Sequence, residues 1–126
     1  MSIEENKDLI RRYFEAISGK PKPEEVVRLF VVDEQLIEHI RVAEEAFPLY
    51  RLDVEEMIAE GDMVGVRVRH RGVHRGPFNG IPPTGREIDA PGFLTYRIKD
   101  GKIIDHWMMG DNLLLMQQLG VLPAKA

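Results

Sequence analysis

The spacing of apolar residues changes once along this chain, and the change occurs at Pro48. Before Pro48, apolar side chains recur every three or four residues, as they do along the buried face of an α-helix. After Pro48 they alternate with polar residues, which is the period of a β-strand that buries one face. The sequence therefore predicts helices followed by strands, an α+β arrangement in which the helices cover a sheet.

Three helices are predicted in the first part of the chain. Ser2 and Glu5 have the spacing of a capping box, and the apolar stripe that follows predicts an amphipathic helix over residues 3–18. Pro23 and the two glutamates after it favour the start of a short second helix. Asp33 is a suitable N-cap for the third.

The rest of the chain predicts four strands and a short final helix. Turn residues separate consecutive strands, and the pair Asp100-Gly101 is typical of a hairpin. A loop rich in glycine and proline, residues 76–85, follows the second strand, and residues 112–119 form the last helix. Strands joined in this order pair antiparallel, so we expect one curved sheet with helices over one face.

Composition narrows the classes of protein that this chain can be. Its 126 residues fit one domain, predicted to span residues 1–126. The lack of cysteine excludes disulfides, thiolate metal sites and a cysteine nucleophile, and it is compatible with a reducing cytoplasm, where we expect the protein to act. The net charge of −4 argues against a nucleic-acid partner, and no apolar run approaches the length that spans a membrane.

Two segments resemble the SnoaL-like polyketide cyclase family, within the nuclear-transport-factor-2-like superfamily. They are EGDMVGVRVRHRGVHRGPFNGIPPTGR and FLTYRIKDGKIIDHWMMGDNLLLMQQLG, and the first helix is also similar to the family's start. The resemblance implies a cone-shaped, cystatin-like fold with a pocket between sheet and helices. Its members include cyclases, isomerases, dehydratases, epoxide hydrolases and non-enzymatic binding domains, so the fold alone does not assign a function.

The sequence departs from the family pattern in one place. The family has a short strand and a loop bearing His or Asp residues after the second helix. Here LFVVDEQLIEHIRVAEEAFP passes almost directly from the second helix into the third. We therefore expect the early strand to be absent or vestigial, and the pocket to be more open or filled from elsewhere.

Asp111 is the leading candidate for a catalytic residue. The resemblance places it at the position of the family's acid–base aspartate. Strand alternation puts it in step with Trp107 and Met109, so we expect all three to face the cavity. Asp111 also directly precedes a helix, and a purely structural role as its N-cap is the alternative.

Four further side chains are predicted to bind the substrate: Trp107, Tyr13, Phe14 and His70. Aromatic residues in this region, Tyr96 among them, could instead be ordinary core residues. Tyr13 could donate a hydrogen bond to an oxyanion, a role that the resemblance to isomerases of the superfamily implies. The remaining histidines are assigned structural or surface positions: His74 orders a loop, His106 points to the opposite face from Trp107, and His39 faces solvent.

Together with these residues, the resemblance implies a cofactor-independent acid–base enzyme, a polyketide cyclase or isomerase, acting on a small apolar carbonyl compound. A non-catalytic ligand-binding or assembly domain is one alternative. A hydrolase or dehydratase is another, and it would need a second carboxylate or histidine facing Asp111. We expect no cofactor, since phosphate-loop and dinucleotide fingerprints are missing, and no metal, since His70 and His74 on one strand would lie about 13 Å apart.

The sheet face that the helices leave uncovered predicts a homodimer. Strand alternation places Phe93, Ile104 and Met108 on that face. Apolar side chains grouped on an exposed face usually mark an interface, and we expect a second copy of the chain to cover them.

Overall fold

A computed structural model describes residues 2–122 of the chain. The elements follow in the order α1 (Ile3–Ile17), α2 (Glu24–Val27), α3 (Glu34–Ala46), β1 (Arg51–Glu60), β2 (Met63–Val73), β3 (Glu87–Lys99), β4 (Lys102–Gly110) and α4 (Asn112–Gln118). The predicted order of three helices, four strands and a short last helix is confirmed. Within the described residues, no helix is long and apolar enough to cross a membrane.

The helices begin where the sequence places their caps. Ser2 and Glu5 form both hydrogen bonds of the capping box at the start of α1. The Asp33 carboxylate accepts the backbone N–H groups of Gln35 and Leu36, which fixes the first turn of α3. Both helices are amphipathic, and each packs its apolar stripe against the sheet while its polar side faces solvent.

The four strands form one antiparallel sheet in the order β1-β2-β3-β4. Alternate side chains of β2 and β3 face the helices and are almost fully buried. The largest buried cluster joins this face to α1, α2 and α3, and includes Ile10, Ile17, Val64, Val66 and Ile103. The opposite face of the sheet carries no helix among the described residues.

The early strand of the family is vestigial, as the sequence predicts. Val31 forms a single parallel bridge with Ile103 of β4. The Ile103 N–H donates to the Phe30 carbonyl at 2.8 Å, and the Val32 N–H donates to the Ile103 carbonyl at 3.0 Å. These two bonds attach the connection between α2 and α3 to the edge of the sheet, without a strand or a loop of its own.

A bulge in β4 reverses the side-chain alternation that the sequence suggests. Ile98 pairs with Ile103 and Arg97 pairs with Asp105, which leaves Ile104 as the extra residue. Ile103 is buried, so unbroken alternation would send Trp107 inward. After the bulge, the even-numbered residues face the helices instead. The predictions that Trp107 faces the cavity and that His106 points away from it are therefore wrong.

The loop after β2 is anchored by a buried histidine and a close backbone contact. His74 Nδ1 accepts the Thr84 N–H at 3.1 Å, so this side chain orders the loop as predicted. Gly76 lies against the end of α3, where its N–H donates to the Ala46 carbonyl at 3.1 Å. A Cβ at position 76 would overlap the carbonyl oxygen of Glu45.

Gly76→Ala is expected to destabilise the protein by about 1–3 kcal/mol, because the loop and the end of α3 must separate to admit a methyl group. Urea denaturation measures the change. Gly110→Ala is the control, since the nearest atom to its Cβ would be 3.9 Å away, and it should change stability by no more than about 1 kcal/mol. Equal stability of both variants would contradict the close contact.

Candidate functional site

A cavity of about 390 Å³ lies between the helices and the inner face of the sheet. Residues of α1 and α3 form one wall, residues of β2, β3 and β4 form the other, and the start of α4 closes one side. Most of the lining is apolar, and the volume is in the range of pockets that bind small organic molecules. The polar side chains in this lining therefore determine what chemistry the cavity can support.

Two of these polar groups, His39 and His106, form a hydrogen-bonded chain with Asp33, which is not itself part of the lining. Asp33 Oδ2 lies 2.6 Å from His106 Nδ1, and His106 Nε2 lies 3.0 Å from His39 Nδ1. Asp33 acts as an acceptor throughout, since its other oxygen accepts two backbone N–H groups. His106 Nδ1 must then donate to Asp33, which leaves His106 Nε2 to accept from His39 Nδ1. In this arrangement His39 Nε2 is an acceptor without a partner among the described residues.

The hydrogen-bonded chain of Asp33, His106 and His39 runs from the interior to the edge of the cavity. The side chains of Asp33 and His106 are only 10% and 5% exposed, whereas His39 is an exposed residue that also lines the cavity. A proton taken up at His39 Nε2 can be balanced by the buried carboxylate through His106. Asp33 caps α3 and His39 is exposed, as the sequence predicts, but the link that His106 makes between them could not be predicted from spacing.

Asp105 lies next to this hydrogen-bonded chain. Hydrogen bonds explain why Asp33, Asp105 and His106 are close to one another. Ligand atoms of Asp33, Asp105 and His106 lie within 4.8 Å of one another, as a metal site would require. His106 Nδ1 is already bonded to Asp33, however, and Asp105 Oδ1 accepts the His106 backbone N–H at 2.9 Å. These bonds account for the cluster, and no metal is assigned to it.

Asp111 lies at the exposed edge of the same cavity. Its Oδ1 accepts the Leu114 N–H at 2.9 Å, which makes it the N-cap of α4. The two roles considered from the sequence are thus compatible, because one oxygen caps the helix while the residue borders the cavity. The start of α4, rather than strand alternation, determines where Asp111 lies.

All three tyrosines of the chain line the cavity and are buried: Tyr13, Tyr50 and Tyr96 are 1%, 4% and 2% exposed. Burial raises the pKa of each, well above the usual value for Tyr13, so the hydroxyls stay protonated. Tyr13 and Tyr96 were candidates for the cavity from the sequence, whereas Tyr50, which precedes β1, was not.

Comparison with known proteins identifies the family. The family model described as SnoaL-like polyketide cyclase matches residues 24–119. The chain belongs to this family. Its structure is similar to that of a proposed SnoaL-like polyketide cyclase from Jannaschia sp. CCS1, with 28% identity and a TM-score of 0.84 over 98% of this chain and 97% of that one.

Two Streptomyces proteins are also similar in structure to this SnoaL-like chain. AclR of Streptomyces galilaeus, a proposed hydroxylase, is 25% identical with a TM-score of 0.84, over 99% of this chain and 87% of its own. IdmH of Streptomyces antibioticus, a proposed polyketide cyclase, is 25% identical with a TM-score of 0.75, over 91% and 98%. No curated protein matches the sequence. The α+β, cone-shaped fold expected of the superfamily is thereby confirmed.

The SnoaL-like cavity does not include two of the residues expected in it. Trp107 is 47% exposed on the outer face of the sheet, where the Arg97 guanidinium lies 5.6 Å from the centre of its ring. Phe14 is buried, but it packs behind the cavity against the rings of Tyr13 and Tyr96 and is not a lining residue of the described cavity. The bulge in β4 explains the position of Trp107.

His70 lies in the cavity wall between two aromatic rings. Its ring centre is 5.1 Å from that of Tyr50 and 5.7 Å from that of Phe47. Burial lowers the pKa of His70 to about 4, and the nearby charge of Lys22 acts in the same direction. His70 is therefore a neutral side chain at neutral pH, and its Nε2 has no hydrogen-bond partner within residues 2–122.

The lowered pKa of His70 predicts that the protein loses stability in mild acid. An ordinary histidine in the unfolded chain binds a proton below about pH 6.5, whereas folded His70 does so only near pH 4. The unfolded state thus binds more protons between these values, so the stability present above pH 6.5 decreases as the pH falls. His70 alone should contribute a loss of about 2 kcal/mol between pH 7.5 and pH 5.

Urea denaturation of the native protein and of His70→Phe at both pH values measures this contribution. Phenylalanine fits beside Phe47 and Tyr50 and cannot bind a proton, so the variant should lose less stability than the native protein. The same loss in both proteins would show that His70 is not buried as described.

Proposed function

We propose that this SnoaL-like protein is a cofactor-independent acid–base enzyme, a polyketide cyclase or isomerase, that acts on a small and mostly apolar carbonyl compound. One observation carries the proposal: a mostly apolar cavity has both Asp111 and the exposed end of the Asp33–His106–His39 chain at its edge. Two of the structural neighbours are named as proposed polyketide cyclases, which supports the same chemistry.

The proposed reaction begins with Asp111 as a general base. Its free carboxylate oxygen removes a proton from the carbon next to a carbonyl group, and the electrons of the broken C–H bond form an enolate. In a cyclase, the enolate carbon then attacks a second carbonyl carbon of the same molecule, whose oxygen becomes an alkoxide. In an isomerase, the proton returns to a different carbon.

The histidine chain would supply the second proton transfer. His39, when protonated, can give its Nε2 proton to the alkoxide oxygen, while Asp33 compensates the positive charge through His106. The base and the acid would thus be separate groups on two sides of one cavity. Apolar walls hold the substrate in a reactive conformation and keep water from protonating the enolate.

A dehydratase or hydrolase is the second candidate. That reaction requires a histidine or carboxylate in addition to Asp111, and His39 meets the requirement because it lines the same cavity. The two candidates share the residues and differ in the leaving group, so substrates distinguish them. A hydroxy ketone that loses water would favour the dehydratase, and a diketone that closes a ring would favour the cyclase.

Asp111→Asn tests the proposed base. Asparagine caps helices as well as aspartate does, so the free energy of unfolding should change by no more than about 1 kcal/mol. It cannot accept the substrate proton, and turnover of a carbonyl substrate should fall roughly 100-fold or more. Turnover and urea denaturation, measured on the same preparation, check both expectations.

His39→Gln is the companion variant. It removes the proposed acid without touching the α4 cap, and it should lower turnover and alter the dependence of the rate on pH. Asn112→Ala, at the cavity edge but without an ionisable group, is the control. Normal turnover in Asp111→Asn would contradict its role as the base, and bound ligand without turnover in the native protein would favour the non-catalytic binding domain.

We also propose that residues 1–126 form one domain that acts in the cytoplasm. The family match over residues 24–119 and the single sheet that contains all the described strands support one domain. The cysteine-free sequence is compatible with the reducing cytoplasm.

The outer face of the sheet supports a homodimer. Ile58, Phe93 and Trp107 are 57%, 41% and 47% exposed there, and Met109, which also borders the cavity, is 75% exposed. Phe93 pairs with Met109 on the neighbouring strand, and a Cβ on Gly65 would lie 3.0 Å from the Phe93 ring and 3.3 Å from the Ile58 side chain. Met108, expected on this face, lines the cavity instead because of the bulge, but Phe93 keeps its predicted position. We propose that a second copy of the chain covers this patch.

Phe93→Glu should separate the dimer, because it buries a charge without a partner in the apolar interface. Light scattering at micromolar concentration should give twice the mass of one chain for the native protein and one chain mass for the variant. Leu29→Glu is the control, since Leu29 is 62% exposed on a different surface and should leave the dimer intact. A monomeric native protein would refute the proposal.

A further inference from the structure

We propose that His70 is a ligand-binding residue in the wall of the cavity, and that it selects compounds that carry a hydroxyl group. The proposal rests on the proposed function only in taking the cavity as the place where a small molecule binds. It gives a role to a histidine that the proposed proton transfers do not use, and it names a chemical feature of the ligand.

His70 is a polar residue in an apolar part of the sheet. It follows Val66 and Val68 on the inner face of β2, and both valines are fully buried. Its partners on the neighbouring strands are Leu52 of β1 and Ala90 of β3, and both also line the cavity. An imidazole placed here loses contact with water and gains no polar neighbour from the sheet.

The fold does not use the hydrogen-bonding capacity of His70. The other three histidines each bond to another side chain: His39 and His106 to one another, and His74 to Thr84. Within residues 2–122, His70 forms no such bond, and its Nε2 is enclosed by the protein without a partner. Because polar side chains in protein interiors are normally hydrogen-bonded, a role outside the packing of the core is indicated.

The second ring nitrogen of His70 is the one that a ligand can reach. Nδ1 is not among the enclosed polar atoms, and the residue lines the cavity. Burial lowers the pKa of His70 to about 4, so at pH 7 the neutral ring carries one N–H group and one lone pair. A hydroxyl both donates and accepts, so it pairs with Nδ1 in either tautomer. An apolar ligand that covers Nδ1 would leave it without any partner.

The charges around His70 favour an uncharged ligand group. No lysine or arginine among the described residues lines the cavity. Lys22 is near enough to lower the pKa of His70 further, but its side chain is fully buried, and its Nζ is bonded to Glu44 at 2.8 Å and to the Tyr50 carbonyl at 3.1 Å. An anion beside His70 would gain no free counter-ion, and Lys22 would repel a cation.

Two ligands of nearly equal shape, 2-naphthol and 2-methylnaphthalene, test this assignment. Their dissociation constants for the native protein and for His70→Leu are measured by fluorescence titration at pH 7. We define the hydroxyl preference as the dissociation constant of 2-methylnaphthalene divided by that of 2-naphthol. The preference should fall roughly 2- to 10-fold in His70→Leu, which corresponds to the loss of one net hydrogen bond.

Leu52→Val is the matched control. Leu52 lies opposite His70 on β1 and lines the same cavity, but it has no polar group. The substitution should change both dissociation constants together and leave the hydroxyl preference within about 2-fold of the native value.

A second measurement uses the native protein and does not depend on the stability of a variant. The ring nitrogens of His70 are observed by NMR in protein labelled with ¹⁵N-histidine. Binding of 2-naphthol should shift the His70 nitrogen signals, because a new hydrogen bond changes the electron density at the ring. Binding of 2-methylnaphthalene should shift them much less, since it has the same aromatic rings but no hydroxyl.

Four outcomes would overturn the proposal: an unchanged hydroxyl preference in His70→Leu, a preference lost equally in Leu52→Val, equal shifts of the His70 signals with both ligands, or no binding of either ligand. Asp111→Asn separates this result from the proposed function, because it should keep the hydroxyl preference. A native protein that shows the preference without turnover of any substrate would support this inference and count against the enzyme.

Discussion

The arrangement of the site depends on one carboxylate, that of Asp33. One of its oxygens accepts the first free N–H groups of α3, and the other holds His106 of β4 at 2.6 Å. A single side chain therefore both starts the helix and fixes it to the sheet. Its negative charge is compensated by the helix N-terminus and by the imidazole N–H, which makes burial of the carboxylate tolerable. His39, the next polar group along the chain of hydrogen bonds, is oriented as a consequence.

The shortened connection between α2 and α3 makes this contact possible. Where the family has a strand and a loop, this chain has only the bridge between Val31 and Ile103. Asp33 follows two residues later, so its distance from the edge of β4 is fixed by backbone hydrogen bonds rather than by a flexible loop. The deletion thus does not leave the pocket without polar groups. It replaces polar residues on a loop with polar residues on the first turns of α3 and on β4.

The sequence predicts the fold well because its signals are local. Capping at Ser2 and Asp33, the change of period at Pro48 and the Asp100-Gly101 turn each act within a few residues, and all agree. The site was harder to predict because it depends on a single extra residue. The bulge at Ile104 exchanges the faces of Trp107 and His106, and nothing in the alternation of apolar residues marks it. The Asp33–His106 bond joins positions 73 residues apart, which spacing cannot reveal.

The cavity divides into two ends with different electrostatics, and this division constrains the chemistry. The proposed base and acid, Asp111 and His39, lie where the cavity is exposed. The buried part of the lining includes tyrosines whose pKa values are raised and His70, whose pKa is lowered, so it resists changes of charge. A substrate whose apolar part is bound there would present its reacting carbon to the exposed end. Binding and proton transfer would then use different residues, so that changes in the apolar lining would act mainly on affinity and Asp111→Asn mainly on turnover. A substrate bound in the opposite direction would mix the two effects in both sets of variants.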